Sequence, residues 1–167
     1  SIHLKGKKYH TRLGRIVYGG GGVMPDVFIP TDTSDITSYF MEAIASRRLA
    51  EFSYGYADNH RAELHKFSDW KDLAGYLQKQ NLVDKFARYA EKRGQKRRNV
   101  LIKQSFKRLD TSLTGMVINY IMGDKSSTLY QCQNDKNIKQ ALYLIENGQT
   151  KPGKVASTKT SQTKKKR

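Results

Sequence analysis

From about residue 36 onward, apolar residues recur at intervals of three and four, the spacing that places them on one face of an α-helix. The clearest example follows Asn81, which stands at capping-box spacing from Asp84. This helix is predicted to end at Gly94, because a glycine often closes the last turn. Its predicted apolar face consists of Leu82, Phe86, Ala87 and Ala90. The pattern predicts a mainly α fold with several helices.

Five other stretches combine helical periodicity with a capping residue or a closing glycine. In chain order they are a helix after Thr33 or Ser34 that Gly55 interrupts, one capped by Asp58 and reaching Phe67, one capped by Ser68, one from Ile102 to Tyr120 closed by Gly123, and one from Ile138 to Ile145 closed by Gly148. The apolar face expected for the first of these helices consists of Ile36, Phe40, Ala43 and Ile44. The face expected for the third consists of Trp70, Leu73 and Leu77. These faces are expected to form the core of one helical domain.

The amino-terminal part has a different pattern, rich in residues that favour β-strands. The runs 9–11 and 15–18 flank Gly14, which is typical of a hairpin, and a third short strand is predicted at Val27-Phe28-Ile29 before Pro30. Three strands of this length do not form a stable sheet alone. We therefore expect residues 1–30 to be a β segment of a larger sheet, residues 31–149 a helical domain, and residues 150–167 a flexible basic polar tail.

Four consecutive glycines connect the second and third predicted strands. A phosphate-binding loop needs Gly-Lys-Ser/Thr at the start of a helix, but here the glycines lead to Met24-Pro25, and proline favours an extended conformation for the residue before it. A nucleotide site is therefore excluded, and no cofactor is predicted. The run is interpreted as a structural loop, formed by Gly19, Gly20, Gly21, Gly22, Pro25 and Asp26.

The chain has 31 Lys+Arg against 15 Asp+Glu and a net charge of +16. Seven of these cations, and no acid, lie in 151–167, and a second basic cluster lies at 92–98. This excess favours anionic partners and leaves an alternative function open, a basic binding module for nucleic acid or anionic surfaces. The tail is expected to bind polyanions nonspecifically at low salt. Specific nucleic-acid binding is not expected, because the cluster lacks an aromatic stacking platform.

The sequence offers one weak candidate for a metal site, His60-x-x-Glu63-x-His65. Histidines five residues apart on a helix diverge by roughly 140°, whereas an i, i+4 pair shares one face. Surface or capping roles are therefore expected for both, and no metal is predicted. The other candidates are expected to have structural roles: Asp32 and Asp35 as helix N-terminal charges, and Cys132 as a lone thiol without a disulfide partner.

The amino-terminal motif resembles a known peptidase family. Tyr9-x-Thr11-x-x-Gly14-Arg15-x-Val17, followed by Gly22-Val23-Met24-Pro25-Asp26-Val27, is similar to the stretch after the catalytic residues in the C-terminal processing (tail-specific) serine peptidases. The four-glycine form resembles the long envelope members of Bacteroides-like bacteria. Their helical continuation is similar to four further motifs, namely Asp58-Asn59-His60-Arg61-Ala62, Tyr76-Leu77, Phe86-x-x-Tyr89-Ala90-Glu91-x-x-Gly94 and Tyr120-x-x-Gly123-Asp124, so the resemblance spans about residues 9–148.

The resemblance implies a serine nucleophile and a lysine base that both lie upstream of the Tyr-Thr strand. Neither motif occurs here, and Ser1 and Lys5 match neither, so no residue of this chain is predicted to be catalytic. The chain is expected to be a C-terminal fragment of such an endopeptidase, inactive alone, with a structural or partner-docking role. The implied partners are upstream peptidase and PDZ-type domains and protein substrates. A homo-oligomer is also compatible with the resemblance. The implied location is the periplasm or cell envelope.

Overall fold

The computed structural model describes residues 7–12, 16–19, 29 and 33–148, and it confirms the mainly α fold. Contacts along the chain divide it into two units. One unit comprises Ser1–Pro30 together with Lys139–Arg167, and the other comprises Thr31–Ile138. The boundary near residue 138 falls inside the last helix.

The first unit contains the predicted hairpin. Strand β1 (Lys8–His10) pairs antiparallel with β2 (Ile16–Tyr18), and Tyr9 stands opposite Val17. The pairing continues one residue further, because the Gly19 amide donates to the Lys7 carbonyl at 3.0 Å. The third predicted strand lies outside the described residues except for Ile29, which has no regular structure.

The described residues form nine helices, which differ in several boundaries from the predicted ones. In chain order they are α1 (Ser38–Ala45), α2 (Arg48–Asn59), α3 (Arg61–Leu64), α4 (Trp70–Gln78), α5 (Leu82–Glu91), α6 (Asn99–Gln104), α7 (Phe106–Met122), α8 (Asp124–Asn134) and α9 (Lys136–Glu146).

Helix α7 is the centre of the second unit, because α2, α4, α5, α6 and α8 all pack against it. Its side chains Leu109, Leu113, Val117 and Ile118 have at most 1% of their surface exposed. Burying one such side chain stabilises a fold by about 1.5–3 kcal/mol. Position and burial together make α7 the main source of hydrophobic stabilisation in this unit.

Helix α5 matches its prediction closely. All four residues of the predicted apolar face are buried, and the helix ends before Gly94, whose φ is +87°. The amides of Gly94 and Gln95 donate to the carbonyls of Glu91 and Ala90, both at 3.0 Å, which closes the last turn. Asn81, by contrast, makes no side-chain capping hydrogen bond.

The first helix begins later than predicted. Thr37 is its cap, since its hydroxyl accepts from the Phe40 amide at 3.2 Å. Residues 33–36 form a separate turn, in which the Ile36 amide donates to the Thr33 carbonyl. Ile36 therefore precedes the helix and is exposed, and Ile44, within α1, is also exposed rather than buried.

The predicted interruption at Gly55 is wrong, because α2 continues through it to Asn59. A glycine inside a helix costs only about 1 kcal/mol relative to alanine, and burial of the adjacent Tyr56 and Ala57 offsets that cost. Asp58 consequently lies within α2 instead of capping the next helix. The break lies between α1 and α2, at Arg47, whose φ is +59°.

Two further boundaries were mispredicted, and one helix was missed. Asp69 rather than Ser68 caps α4, through a 2.6 Å hydrogen bond from the Lys71 amide. The helix predicted over 102–120 is two helices, with the break at Ser105, whose hydroxyl donates to the Leu101 carbonyl. Helix α8 was not predicted at all, because its sequence has few apolar residues.

Substituting Tyr130 tests whether α8 belongs to the cooperative core. Its ring is buried, lies 3.6 Å from the position of a Cβ built on Gly115, and packs edge-on against Trp70. We expect Tyr130→Ala to lower the free energy of unfolding by about 3–5 kcal/mol, because a large aromatic core residue is removed. Leu129→Ala, on the exposed side of α8, is the matched control. Equal denaturation midpoints for the two variants would contradict this packing.

Candidate functional site

The predicted glycine loop is described only at its first residue. Gly20, Gly21, Gly22, Pro25 and Asp26 lie outside the described residues, as does Asp32. At Gly19, a Cβ would lie 2.6 Å from Cε2 of Tyr9, so glycine allows that ring to lie across the strand end. The role of the loop in a peptidase core remains a prediction.

The two histidines of the weak metal motif do not come together as a site. His60 lies at the junction of α2 and α3, where its Nδ1 is 2.8 Å from the Tyr56 carbonyl and its ring stacks on Tyr56 with centroids 4.2 Å apart. His65 ends α3. Within the described residues, no three potential metal ligands are grouped.

Glu63, the third member of that motif, belongs instead to a tyrosine cluster. Its carboxylate accepts a hydrogen bond from Tyr76, which raises the pKa of that phenol to about 12. Burial raises the pKa of the neighbouring Tyr56, and the Lys85 ammonium lies 5.3 Å from the Tyr56 ring centroid. Both phenols therefore stay neutral at physiological pH. This is consistent with a structural role in which the cluster connects α2, α3 and α4.

A larger candidate functional site is the stretch of residues 92–108, which we call the basic segment. It contains eight cations and no acidic residue, and it extends the predicted 92–98 cluster through α6 into the start of α7. The cations are Lys92, Arg93, Lys96, Arg97, Arg98, Lys103, Lys107 and Arg108. The absence of any acid up to residue 108 was the sequence signal that could have defined its full length.

Two of these arginines are paired with acids. Arg97 Nη2 donates to Asp84 Oδ1 at 2.7 Å, and this bond lowers the pKa of the Asp84 carboxyl. Arg108 Nη2 donates to Asp35 Oδ1 at 2.6 Å. Asp35, predicted to be a helix N-terminal charge, lies two residues before the cap of α1 and serves as this ion-pair partner instead.

Buried polar side chains fix the backbone of the basic segment. Gln95 is fully buried, and its Nε2 donates to the Tyr39 carbonyl at 2.8 Å. The Thr37 hydroxyl donates to the Ser105 hydroxyl at 3.2 Å, with both side chains buried. These contacts join the segment to α1 at two points ten residues apart, so it forms part of the folded surface.

The remaining cations point toward solvent. Lys92, Lys96, Arg98, Lys103 and Lys107 are exposed, and none forms an ion pair with any described residue. Arg93 is also exposed, and its guanidinium lies 3.7 Å from the ring centroid of Tyr89. The same stretch exposes 79% of Val100 and 52% of Phe106. The surface is thus strongly basic and carries apolar side chains among the cations.

No helix among the described residues has both the length and the apolar character needed to cross a membrane.

Comparison with protein-family models gives a match to the helical part of the chain. The model of a family of unknown function, DUF8443, matches residues 39–123. The matched stretch runs from α1 to the end of α7 and therefore includes the whole basic segment. No curated protein and no solved structure matches the chain.

Removing the acceptor of the Tyr76 hydrogen bond is expected to change its titration. In Glu63→Ala the pKa of Tyr76 should fall from about 12 toward the ordinary value of 10.0. Because the folded-state pKa is the higher one, the stability from this pair is complete below pH 10 and is lost as the pH rises toward 12. Tyrosine Cζ NMR, with Tyr76→Phe to identify the signal, measures the titration.

Glu51→Ala is the control for this titration, since Glu51 accepts from Tyr89 rather than Tyr76. An unchanged Tyr76 titration in Glu63→Ala would contradict the assigned hydrogen bond.

Loss of the Gln95 side chain is expected to loosen the basic segment. Gln95→Ala should lower the free energy of unfolding by about 1–3 kcal/mol, because a buried hydrogen bond is lost. Lys96→Ala, at the neighbouring exposed position, should change it by less than about 0.5 kcal/mol. Denaturant unfolding followed by circular dichroism measures both, and equal effects would show that Gln95 is not an anchor.

Proposed function

The chain belongs to the family of unknown function DUF8443, and we propose that its helical unit is a non-catalytic docking domain that accompanies a serine-type endopeptidase of the C-terminal processing kind. The observation that carries this proposal is the amino-terminal sequence motif from Tyr9 to Val27, in which the order of Tyr-x-Thr, Gly-Arg and Gly-x-x-Pro-Asp resembles that of the peptidase core. The proposal includes a periplasmic or envelope location, and its partners are the peptidase core and protein substrates.

The hairpin is consistent with this proposal. In the peptidase family the corresponding strands belong to a larger sheet, and here β1 and β2 are only three residues long each. A hairpin of this size is at best marginally stable in water by itself. A peptidase core that adds strands to it would supply the missing sheet.

The lysines of the described residues support a non-catalytic role. A lysine can act as the base for a serine nucleophile only where burial lowers its pKa toward neutrality. Every lysine that the structure describes is exposed to solvent. This exposure is consistent with the proposed docking role of the described residues.

Reading the coding sequence upstream of Ser1 is the direct test of the parent protein. We expect a Ser-Ala-Ser-like segment followed by a Gly-Lys-Gly-like segment before the hairpin. An upstream coding sequence without both segments would contradict the proposal.

The activity of the chain provides a second test. The 167-residue chain should leave the unstructured protein β-casein intact, whereas the product extended upstream should cleave it and lose cleavage when its Gly-Lys-Gly-like lysine is changed to alanine. Proteolysis by the short chain, checked by mass spectrometry of the fragments, would contradict the claim that the catalytic residues lie elsewhere.

A further inference from the structure

The basic segment carries unpaired cations and exposed apolar side chains on one fixed stretch of backbone. We propose that it is a docking surface for an anionic phospholipid membrane. This inference stands on the described residues alone and does not depend on the endopeptidase proposal.

Phosphate groups of lipids complement the charge of this surface. Lys96, Arg98, Lys103 and Lys107 are exposed and have no ion-pair partner among the described residues, so binding an anion requires no existing pair to break. The two arginines that are paired, Arg97 and Arg108, hold the backbone in place. A cluster of lysines and arginines on a folded surface is typical of attraction to an anionic leaflet.

The apolar side chains complement the boundary between head groups and acyl chains. Val100 and Phe106 are largely exposed, and Ile36 is 40% exposed. Ile36 lies at the same end of the unit, because the residues on either side of it, Asp35 and Thr37, bind Arg108 and Ser105. Inserting such side chains a few ångströms into the interface removes them from water while the lysines remain at the phosphates.

A membrane fits these features better than a nucleic acid does. Single-stranded nucleic acids are held by aromatic side chains on which bases stack. Phe106 is the one aromatic residue in 92–108, and the adjacent Tyr89 ring already carries the Arg93 guanidinium. Val100, an aliphatic side chain, provides no stacking surface.

Binding of the full chain to vesicles tests this surface. The probes are phosphatidylcholine vesicles with and without phosphatidylglycerol, at physiological salt, where long-range attraction between the net charge of the chain and the lipid is screened. We expect binding only to the anionic vesicles. Val100→Ser with Phe106→Ser should weaken it about tenfold, because the apolar contacts are lost, and Lys103→Gln with Lys107→Gln should weaken it and reduce its salt dependence.

Matched substitutions outside the segment are the controls. Leu129→Ser removes an exposed apolar side chain of α8, and Lys66→Gln with Lys125→Gln removes two exposed lysines. All should bind within about twofold of the original chain. Circular dichroism establishes that each variant is folded. The proposal would be overturned if the control variants lost as much vesicle binding as the segment variants, or if the segment variants lost none. Binding would then be assigned to net charge or to the tail.

A fluorescence measurement gives a second readout. In Phe106→Trp the introduced indole should shift to shorter wavelength on anionic vesicles and be quenched by brominated acyl chains, with the original chain and its single Trp70 as the blank. An unshifted, unquenched indole would overturn the proposal. So would RNA or polyglutamate binding of equal strength that is lost in the same segment variants, because the surface would then serve nucleic acids or acidic proteins.

Discussion

The fold of the second unit requires that a stretch rich in like charges stays packed on an apolar core. Eight cations without an acid in 92–108 repel one another, and such blocks are usually disordered. Here the burial of Ile102 and Leu109 keeps the segment on the core around α7, and Gln95 and Ser105 attach it to α1. The two ion pairs to Asp84 and Asp35 compensate the charge of Arg97 and Arg108, the two least exposed cations of the segment. The remaining cations point to solvent, and there solvent or a partner can compensate their mutual repulsion.

The two proposals use different parts of the chain. The endopeptidase proposal rests on the order of residues 9–27, and the membrane proposal rests on the geometry of 92–108. They are compatible, since a domain that rests on an anionic envelope surface could hold a peptidase near membrane-associated substrates. Each can fail without affecting the other. The family match covers the basic segment but stops before α8, although Tyr130 and Ser127 of that helix are buried and Ser127 donates to the Gly115 carbonyl.

Periodicity and turn residues in the sequence correctly predicted the elements that depend mainly on neighbouring residues. The amphipathic α5, its closing glycine and the hairpin around Gly14 follow from periodicity and turn residues. The interruption at Gly55 was mispredicted because tertiary burial outweighs a small helix penalty. Helix α8 was missed because its sequence has few apolar residues and no apolar stripe, although it packs against α4 and α7. In the candidate site, the sequence located the charge at 92–98. It could not show that Gln95 is buried or which arginines are paired, because the partners Tyr39, Asp84 and Asp35 lie far away along the chain.

Hydrogen–deuterium exchange of the free chain, followed by mass spectrometry, tests most directly whether the basic segment is a fixed part of the fold. Amides of 102–105 and 109–113 are expected to exchange as slowly as those of α5, because they donate hydrogen bonds at or within α6 and α7, which pack on the core. Arg88–Gly94 peptides provide the reference within the same sample. Exchange of these amides as fast as in an unstructured peptide would contradict the account, since the cations and apolar side chains would then share no fixed surface.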